Sequence, residues 1–204
     1  MTGEPEQQPL RFNVLLFPGF ETLDVFGPVE VIGKLDRFYQ IEFYSESGGT
    51  VPSSQNVRVE TLPVSKMAKT GVLLIPGGFG TRREVDNPGL IHRLKGAADQ
   101  APFVLTVCTG AALLAKTGLL SQVRATTNKR AFDWVAEQDG TVDWVRKARW
   151  VHDGKFYSSS GVSAGIDMTL GFVADQYGME VAEKIAAGIE YIWNKDREND
   201  PFAI

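Results

Sequence analysis

Hydrophobic and polar positions change their spacing repeatedly along this chain. Short runs rich in β-branched and aromatic residues give way to longer stretches in which apolar residues recur at helical spacing, and the pattern then repeats. Alternation of this kind is typical of βαβ units arranged around a mostly parallel sheet. The sequence therefore predicts an α/β fold.

The predicted elements follow from these runs. Strands are expected at 12–17, 40–45, 71–76, 102–107, 123–126, 148–151 and 155–159. Helices are expected between or after them, at 24–35, 87–99, 109–118, 129–138, 164–178 and 181–193. Residues 47–60 combine turn residues with alternation and predict a hairpin or an excursion of the chain beside the main sheet. The last helix would carry Ile189, Ile192 and Trp193 on one face, buried within the domain or across a dimer.

Length and composition limit the organisation of the chain. The 204 residues, 43% of them hydrophobic, are sufficient for one well-filled domain. We expect a flexible N-terminal tail over 1–11 and a single domain over 12–204. No apolar run approaches the roughly 20 residues that span a bilayer, and the polar N-terminus does not resemble a secretory signal, so we expect no membrane partner.

Charge and cysteine usage narrow the function classes. The net charge is −4 and the basic residues are scattered, which gives no electrostatic footprint for nucleic acid. The single cysteine, Cys108, cannot form an internal disulfide, and a lone free thiol suits a reducing compartment. The sequence therefore favours a cytoplasmic protein that acts on a small molecule.

Three segments follow predicted strands at the edge where open α/β sheets place their sites: "FPGFETLD", "IPGGFG" and "VCTG". In the last of these the chain passes from strand to helix within two residues, so Cys108 must occupy a sharp turn. Unpaired amides at the start of the helix would lower the pKa of its thiol. The alternative is that Cys108 is an inert, buried small hydrophobe, as most free cysteines are.

These motifs also carry a resemblance. "IPGGFG", "VCTGAALLAKTGLL" and "RATT", with "LDVFGPVEV" upstream and "GVSAGID" downstream, occur in the order found in the ThiJ/PfpI superfamily, which includes the parkinsonism-associated deglycase and bacterial isocyanide hydratases. The resemblance extends over residues 12–193. It implies a flavodoxin-like three-layer sandwich of the class I glutamine amidotransferase type, a cysteine on a strained nucleophile elbow, and a homodimer.

The resemblance also implies an acidic partner for the cysteine. The matching position is Asp24, and "TLDVFGP" is similar to the isocyanide hydratase branch. A carboxyl group beside a thiol can share its proton and deliver it to a reacting atom. Without the resemblance, Asp24 would be interpreted as a helix-capping or first-turn aspartate. Glu21 and Glu30 are expected to face solvent.

Other nucleophile and base candidates are weaker. "GVSAG" matches a serine-nucleophile motif at Ser163, but both histidines, His92 and His152, precede it, and we interpret it as a close-packed turn. His92 is expected on a helix surface and His152 in a turn. Asn128 stands where related hydrolases often carry histidine, which makes a protease or amidase a poor fit.

The reaction that the resemblance implies is hydration of an isocyanide, a small-molecule substrate, to an N-formamide, which makes the enzyme a lyase; the residues present fit this chemistry. Cys108 would attack, Asp24 would relay the proton and activate water, and the Thr109 hydroxyl would hold water or substrate. No cofactor is required, and no metal-ligand cluster is evident. The oxyanion or substrate pocket is assigned to backbone at three glycines, Gly77, Gly78 and Gly110.

Three alternatives stay open. The first is a glyoxalase- or deglycase-like carbonyl hydrolase, and the second is a redox or stress sensor in which Cys108 is oxidised reversibly. The third is a ligand-sensing domain of the kind that many members of the resembled superfamily fuse to a DNA-binding module. Arg82 and Arg83, which follow "GGFG", would favour an anionic substrate, although a solvated charge pair is the simpler interpretation.

Overall fold

The computed structural model describes residues 8–203, and a single large sheet runs through them. Its strands are β1 (Leu10–Leu15), β2 (Tyr39–Ser45), β3 (Gly49–Pro52), β4 (Arg58–Pro63), β5 (Val72–Ile75), β6 (Val104–Val107), β9 (Trp150–Asp153) and β10 (Phe156–Ser159), and a separate pair is formed by β7 (Arg124–Ala125) and β8 (Asp143–Trp144). The eight strands of the large sheet have the order β3-β4-β2-β1-β5-β6-β10-β9. Neighbours from β4 to β10 are parallel, while the edge strands β3 and β9 pair antiparallel.

Helices cover both faces of this sheet. They are α1 (Thr22–Gly33), α2 (Thr81–Glu84), α3 (Pro88–Gln100), α4 (Gly110–Lys116), α5 (Phe132–Ala136), α6 (Ala164–Tyr177) and α7 (Met179–Gly188). Helices α1, α6 and α7 pack together in one layer, and α2, α3 and α5 pack around α4 in the other. The central strands β5 and β6 are fully buried, which explains their uninterrupted apolar sequences. The predicted mostly parallel α/β sandwich is confirmed.

Most predicted elements are present, with shifted ends. Residues 47–60 form much of the predicted hairpin, as β3 and the start of β4. Strand β1 begins at Leu10, so two residues assigned to the flexible tail pair with β2, and the rest of that prediction, for 1–7, lies outside the described residues. His152 lies in strand β9, not in a turn.

The prediction of a helix over 181–193 is wrong for its last five residues, 189–193. Helix α7 ends at Gly188, and Glu190 has a φ of 53°, which helical backbone cannot continue through. Ile192 is 93% exposed, while the Trp193 indole N–H donates to the Asp167 carbonyl at 3.1 Å. The apolar face predicted for Ile189, Ile192 and Trp193 therefore does not form.

A buried ionic cluster holds this C-terminal segment against the domain. Arg149 is buried and pairs with the Asp167 carboxylate at 2.6 Å and with Asp200 at 3.5 Å. The backbone N–H of Asn194 donates to Asp167, and that of Arg149 donates to the Arg197 carbonyl. Because a buried charge is costly without its partner, these contacts fix the path of residues 190–203.

Candidate functional site

The three segments singled out in the sequence meet at the carboxyl edge of the sheet. The loop after β1 and the loop after β5 are joined by backbone hydrogen bonds, from Glu21 N–H to the Gly77 carbonyl at 2.9 Å and from Gly80 N–H to the Gly19 carbonyl at 3.1 Å. The turn after β6 lies against both, since Gly78 N–H donates to the Thr109 hydroxyl at 3.1 Å. Parallel order in the sheet makes this meeting possible, because β1, β5 and β6 are adjacent.

Cys108 occupies the turn between β6 and α4 with a φ of 57°. This is the left-handed region, which residues other than glycine, asparagine and aspartate rarely adopt. The turn is held on both sides: Cys108 N–H lies 3.2 Å from the carbonyls of Ser159 and Ser160, and its carbonyl accepts from the Thr127 hydroxyl at 2.7 Å. The surrounding hydrogen bonds thus impose an uncommon backbone conformation at the only cysteine.

Asp24 lies in the first turn of α1, fully buried beside the Cys108 thiol. Its Oδ2 accepts from the Gly77 N–H at 2.9 Å, while Oδ1 has no hydrogen-bond partner among the described residues. Burial raises the pKa of Asp24 well above its ordinary value, the charge of Glu21 adds to this, and hydrogen bonds from Gly77 and Cys108 oppose it. A carboxyl group in this position retains a proton that an exposed aspartate would lose.

The thiol itself does not follow the predicted direction. We expected helix-start amides to lower its pKa, but burial raises the pKa of Cys108, and the neighbouring Asp24 raises it further. The Thr109 N–H and the side chains of Asn128 and Thr109 act in the opposite direction without prevailing. Only 6% of Cys108 is exposed. Two buried acids in contact do not both ionise readily, so the pair retains at least one proton at neutral pH.

Thr109 links the turn to the glycine-rich loop. Its buried hydroxyl accepts from the Gly78 N–H and from the Thr81 hydroxyl, each at 3.1 Å. The sequence assigned this hydroxyl to water or substrate, and the structure also gives it two partners within the protein. Thr109 therefore fixes the distance between the cysteine turn and the loop after β5.

The three predicted pocket glycines permit close packing. A Cβ at Gly77 would lie 2.5 Å from the Thr109 nitrogen, and one at Gly110 would lie 2.3 Å from the Ile75 carbonyl oxygen. The N–H groups of Gly77 and Gly78 already donate to Asp24 and Thr109. Gly78 lines the pocket, whereas Gly77 and Gly110 are not among its lining residues.

The pocket in front of Cys108 has a volume of about 330 Å³. It is lined by Glu21, Gly78, Phe79, Arg82, Cys108, Thr109, Asn128, Arg130, Ala131 and Val162. Glu21 therefore does not simply face solvent, while Glu30 is exposed as expected. A larger groove of about 810 Å³ lies beside β2, β3 and α3, but it contains neither cysteine nor histidine.

Asn128 is the polar side chain whose role the sequence did not reveal. Its Oδ1 accepts from the Ala131 N–H at 3.0 Å, which leaves the amide nitrogen to face Cys108 as a hydrogen-bond donor. Gly161 makes room for this contact, because a Cβ there would lie 2.2 Å from Asn128 Nδ2 and 2.9 Å from the sulfur. The motif "GVSAG" is thus the close-packed turn that we expected, and Ser163 immediately precedes α6.

Neither histidine takes part in this site. His92 is exposed on α3, as predicted, and His152 stacks on Tyr157 with its Nδ1 3.2 Å from the Asp175 carboxylate. Residues 8–203 contain no group of three His, Cys, Asp or Glu side chains able to hold a metal ion. Across the same residues, no helix combines the length and apolar character required to cross a membrane. The available proton carrier beside Cys108 is Asp24.

Comparison with known proteins supports the resemblance. The sequence matches the DJ-1/PfpI family over residues 11–175. It is 29% identical over 185 residues to an isonitrile hydratase of Pseudomonas putida, and the match covers 89% of this chain and 78% of that one. It is also 29% identical over 180 residues to the HTH-type transcriptional regulator CdhR of Pseudomonas aeruginosa, where the match covers 86% of this chain and 53% of the regulator. The crystal structure of a ThiJ/PfpI family protein from Pseudomonas syringae is similar with a TM-score of 0.84 and 26% identity, covering 99% of this chain and 81% of that one.

Proposed function

Because this chain belongs to the DJ-1/PfpI family, we propose that it is a cysteine-dependent lyase that hydrates isocyanides to N-formamides. Similarity to an isonitrile hydratase supports this reaction class. The observation that carries the proposal is the buried pair of Cys108 and Asp24, in which burial raises the pKa of the carboxyl group beside the thiol and one of its oxygens has no hydrogen-bond partner within residues 8–203. This pair supplies a nucleophile and a proton carrier without histidine.

The first step adds the thiol across the isocyanide carbon. That carbon accepts both a proton and a nucleophile, so Asp24 passes the thiol proton to it while the Cys108 sulfur forms a bond to the same carbon. The product is a thioimidate, R–N=CH–S–Cys108, with no net gain or loss of protons. The raised pKa values of both groups suit this step, because it requires a proton at the pair from the beginning.

The second step releases the product. Water adds to the thioimidate carbon while Asp24 accepts one water proton on one carboxyl oxygen and donates its own proton from the other to the nitrogen, which gives R–NH–CH(OH)–S–Cys108 and leaves Asp24 protonated. The C–S bond then breaks, the remaining hydroxyl proton returns to sulfur through Asp24, and R–NH–CHO leaves. The Asn128 amide and the Thr109 N–H face the sulfur and stabilise charge on it as the bond breaks.

The decisive test is steady-state turnover of simple alkyl and aryl isocyanides. We expect Cys108→Ser to remove turnover and Asp24→Asn to reduce kcat by about 10²–10⁴-fold, the range for loss of a general acid–base group. Ser163→Ala is the matched control, since it removes the other candidate nucleophile and should retain activity. A wild-type protein that hydrates none of these isocyanides would refute the proposal.

Two of the alternatives from the sequence fit the site less well than the hydratase. A redox sensor requires a thiol that ionises readily, whereas the pKa of this thiol is raised. A carbonyl hydrolase of the Cys–His type lacks its base, because Asn128 occupies the position beside the sulfur.

We further propose that the protein acts as a homodimer in the cytoplasm, where a free thiol stays reduced. Size-exclusion chromatography with light scattering tests the dimer directly.

A further inference from the structure

Two arginines and one glutamate line the mouth of the Cys108 pocket. Arg82 and Arg130 are exposed, and neither has a carboxylate of residues 8–203 within ion-pairing distance. Glu21 is half-buried, and its Oε1 accepts from the Gln55 amide at 2.9 Å. Two positive charges and one negative charge thus line the pocket, in a protein whose overall charge is −4.

Arg82 is held in a defined orientation. Its guanidinium carbon lies 3.4 Å from the centre of the Trp134 ring, so one flat face of the group stacks on the indole. None of its guanidinium N–H groups is used in a hydrogen bond within residues 8–203, which leaves the edge of the guanidinium free. A stacked guanidinium with a free edge matches the two oxygens of a carboxylate.

Arg83, the next residue, shows the contrast. Its Nε donates to the Glu84 carboxylate at 2.9 Å, and it does not line the Cys108 pocket. The two arginines, which the sequence could not distinguish, therefore differ. The Glu84 carboxylate neutralises Arg83, whereas Arg82 is available to bind a ligand. Arg82 also lies near enough to Cys108 that a thiolate there would favour its charged form.

We propose that the Cys108 pocket selects substrates that carry a carboxylate, with Arg82 binding that group through its free edge and Arg130 adding positive potential. For the proposed function, on which this inference rests, the preferred substrates are isocyanides with an acidic substituent. The volume of about 330 Å³ accommodates such a molecule.

Alkylation of Cys108 tests charge selection without requiring any turnover. Iodoacetate and iodoacetamide react with thiols by the same displacement and differ in charge, and every modification reports on Cys108 because it is the only cysteine. We expect Arg82→Leu to lower the iodoacetate-to-iodoacetamide rate ratio at pH 8 by about three- to tenfold, the size of a lost ion pair at a partly exposed site. Glu21→Gln should raise the ratio, and added salt should lower it for the wild type.

Arg37→Leu is the matched control. Arg37 is exposed just before β2, at the opposite end of the parallel strands, and the change in net charge is identical. The iodoacetamide rate of each variant reports separately on exposure and ionisation of the thiol. An unchanged ratio in Arg82→Leu, or an equal fall in Arg37→Leu, would overturn the inference.

A second comparison separates this inference from the proposed function. The kcat/KM for a carboxylate-bearing isocyanide should exceed that for its methyl ester in the wild type, and Arg82→Leu should remove the difference. Failure of all isocyanides while the alkylation ratio still depends on Arg82 would reject the hydratase and retain the anionic pocket. Equal turnover of acid and ester would retain the hydratase and reject the anionic pocket.

Discussion

At the scale of single residues, Asn128 occupies a position where related hydrolases often carry histidine. Its side chain has two distinct roles, since Oδ1 caps the turn at Ala131 and Nδ2 faces the Cys108 sulfur. An amide nitrogen can donate to a thiolate but cannot accept its proton. In the proposed mechanism, Asn128 therefore stabilises charge on sulfur, and proton transfer is assigned to Asp24.

Asn128→Asp separates these two roles. The carboxylate can still accept from Ala131 N–H, so the fold should persist, but the donor to sulfur is lost and a negative charge is added, which raises the pKa of Cys108 further. We expect iodoacetamide to react with Cys108 about tenfold more slowly at pH 8, equivalent to one pKa unit. Gln40→Glu makes the same chemical change at an exposed position in β2 and should leave the rate unchanged. Equal rates for Asn128→Asp and the wild type would show that the amide does not act on the sulfur.

The residue scale also marks where prediction from sequence ends. The sharp turn at Cys108 was predictable, because a buried apolar strand and a small-residue helix are separated by only two residues. The direction in which its pKa shifts was not predictable. That shift depends on burial and on the charge of Asp24, and the contacts responsible come from segments more than fifty residues away along the chain, at Asp24 before the turn and at Gly161 after it. The local sequence therefore predicted the backbone turn at Cys108, whereas contacts between distant segments determine the pKa of its thiol.

At the scale of elements, α4 begins unusually close to the end of β5. Gly110 is the first residue of α4, and a Cβ there would lie 2.3 Å from the Ile75 carbonyl oxygen and 2.8 Å from that of Pro76. Neither atom belongs to a flexible side chain, so the helix itself would have to move. This approach brings the Thr109 hydroxyl within reach of the Gly78 N–H.

We expect Gly110→Ala to destabilise the protein by about 1–3 kcal/mol and to reduce activity, because a displaced α4 shifts Thr109 and Cys108. Gly96→Ala in α3 is the matched control: nothing lies within 4 Å of its Cβ position, and replacing a helical glycine should stabilise by about 0.5–1 kcal/mol. Urea unfolding measures both. A Gly110→Ala variant as stable as the wild type would show that the contact relaxes without cost.

Elements also differed in how predictable they were. Strands such as β5 and β6 were evident because burial on both faces requires continuous apolar residues. The end of α7 was missed because the apolar residues after Gly188 continue at helical spacing, although Trp193 and Asn194 bond instead to Asp167. A tertiary contact overrode a local pattern there.

At the scale of the whole molecule, stability should depend on pH through Asp24. Its pKa is raised in the folded protein, mainly by burial, so the folded state holds a proton that the unfolded chain releases above its ordinary pKa of 3.8. The favourable contribution of this group is complete below pH 3.8 and is lost as pH rises toward the folded pKa. The fold therefore bears a cost at neutral pH for keeping a proton carrier at the site.

Asp24→Asn removes this dependence. Relative to the wild type, the variant should gain free energy of unfolding as pH rises above 3.8, by about 1.4 kcal/mol for each pH unit over which Asp24 is protonated only in the folded state. Urea unfolding of both proteins between pH 3.5 and 8 measures the difference, with Asp36→Asn as an exposed control. A difference that does not vary with pH would contradict a raised pKa for Asp24.

The left-handed backbone at Cys108 has a consequence for the evolution of this protein in the laboratory. Glycine and asparagine adopt a φ of 57° at less cost than cysteine, so variants selected only for heat resistance should accumulate them at position 108. Selection that also demands catalysis would keep the cysteine and improve other positions. Retention of a conformationally unfavourable residue under mild selection would thus report that the thiol is in use, even before its substrate is known.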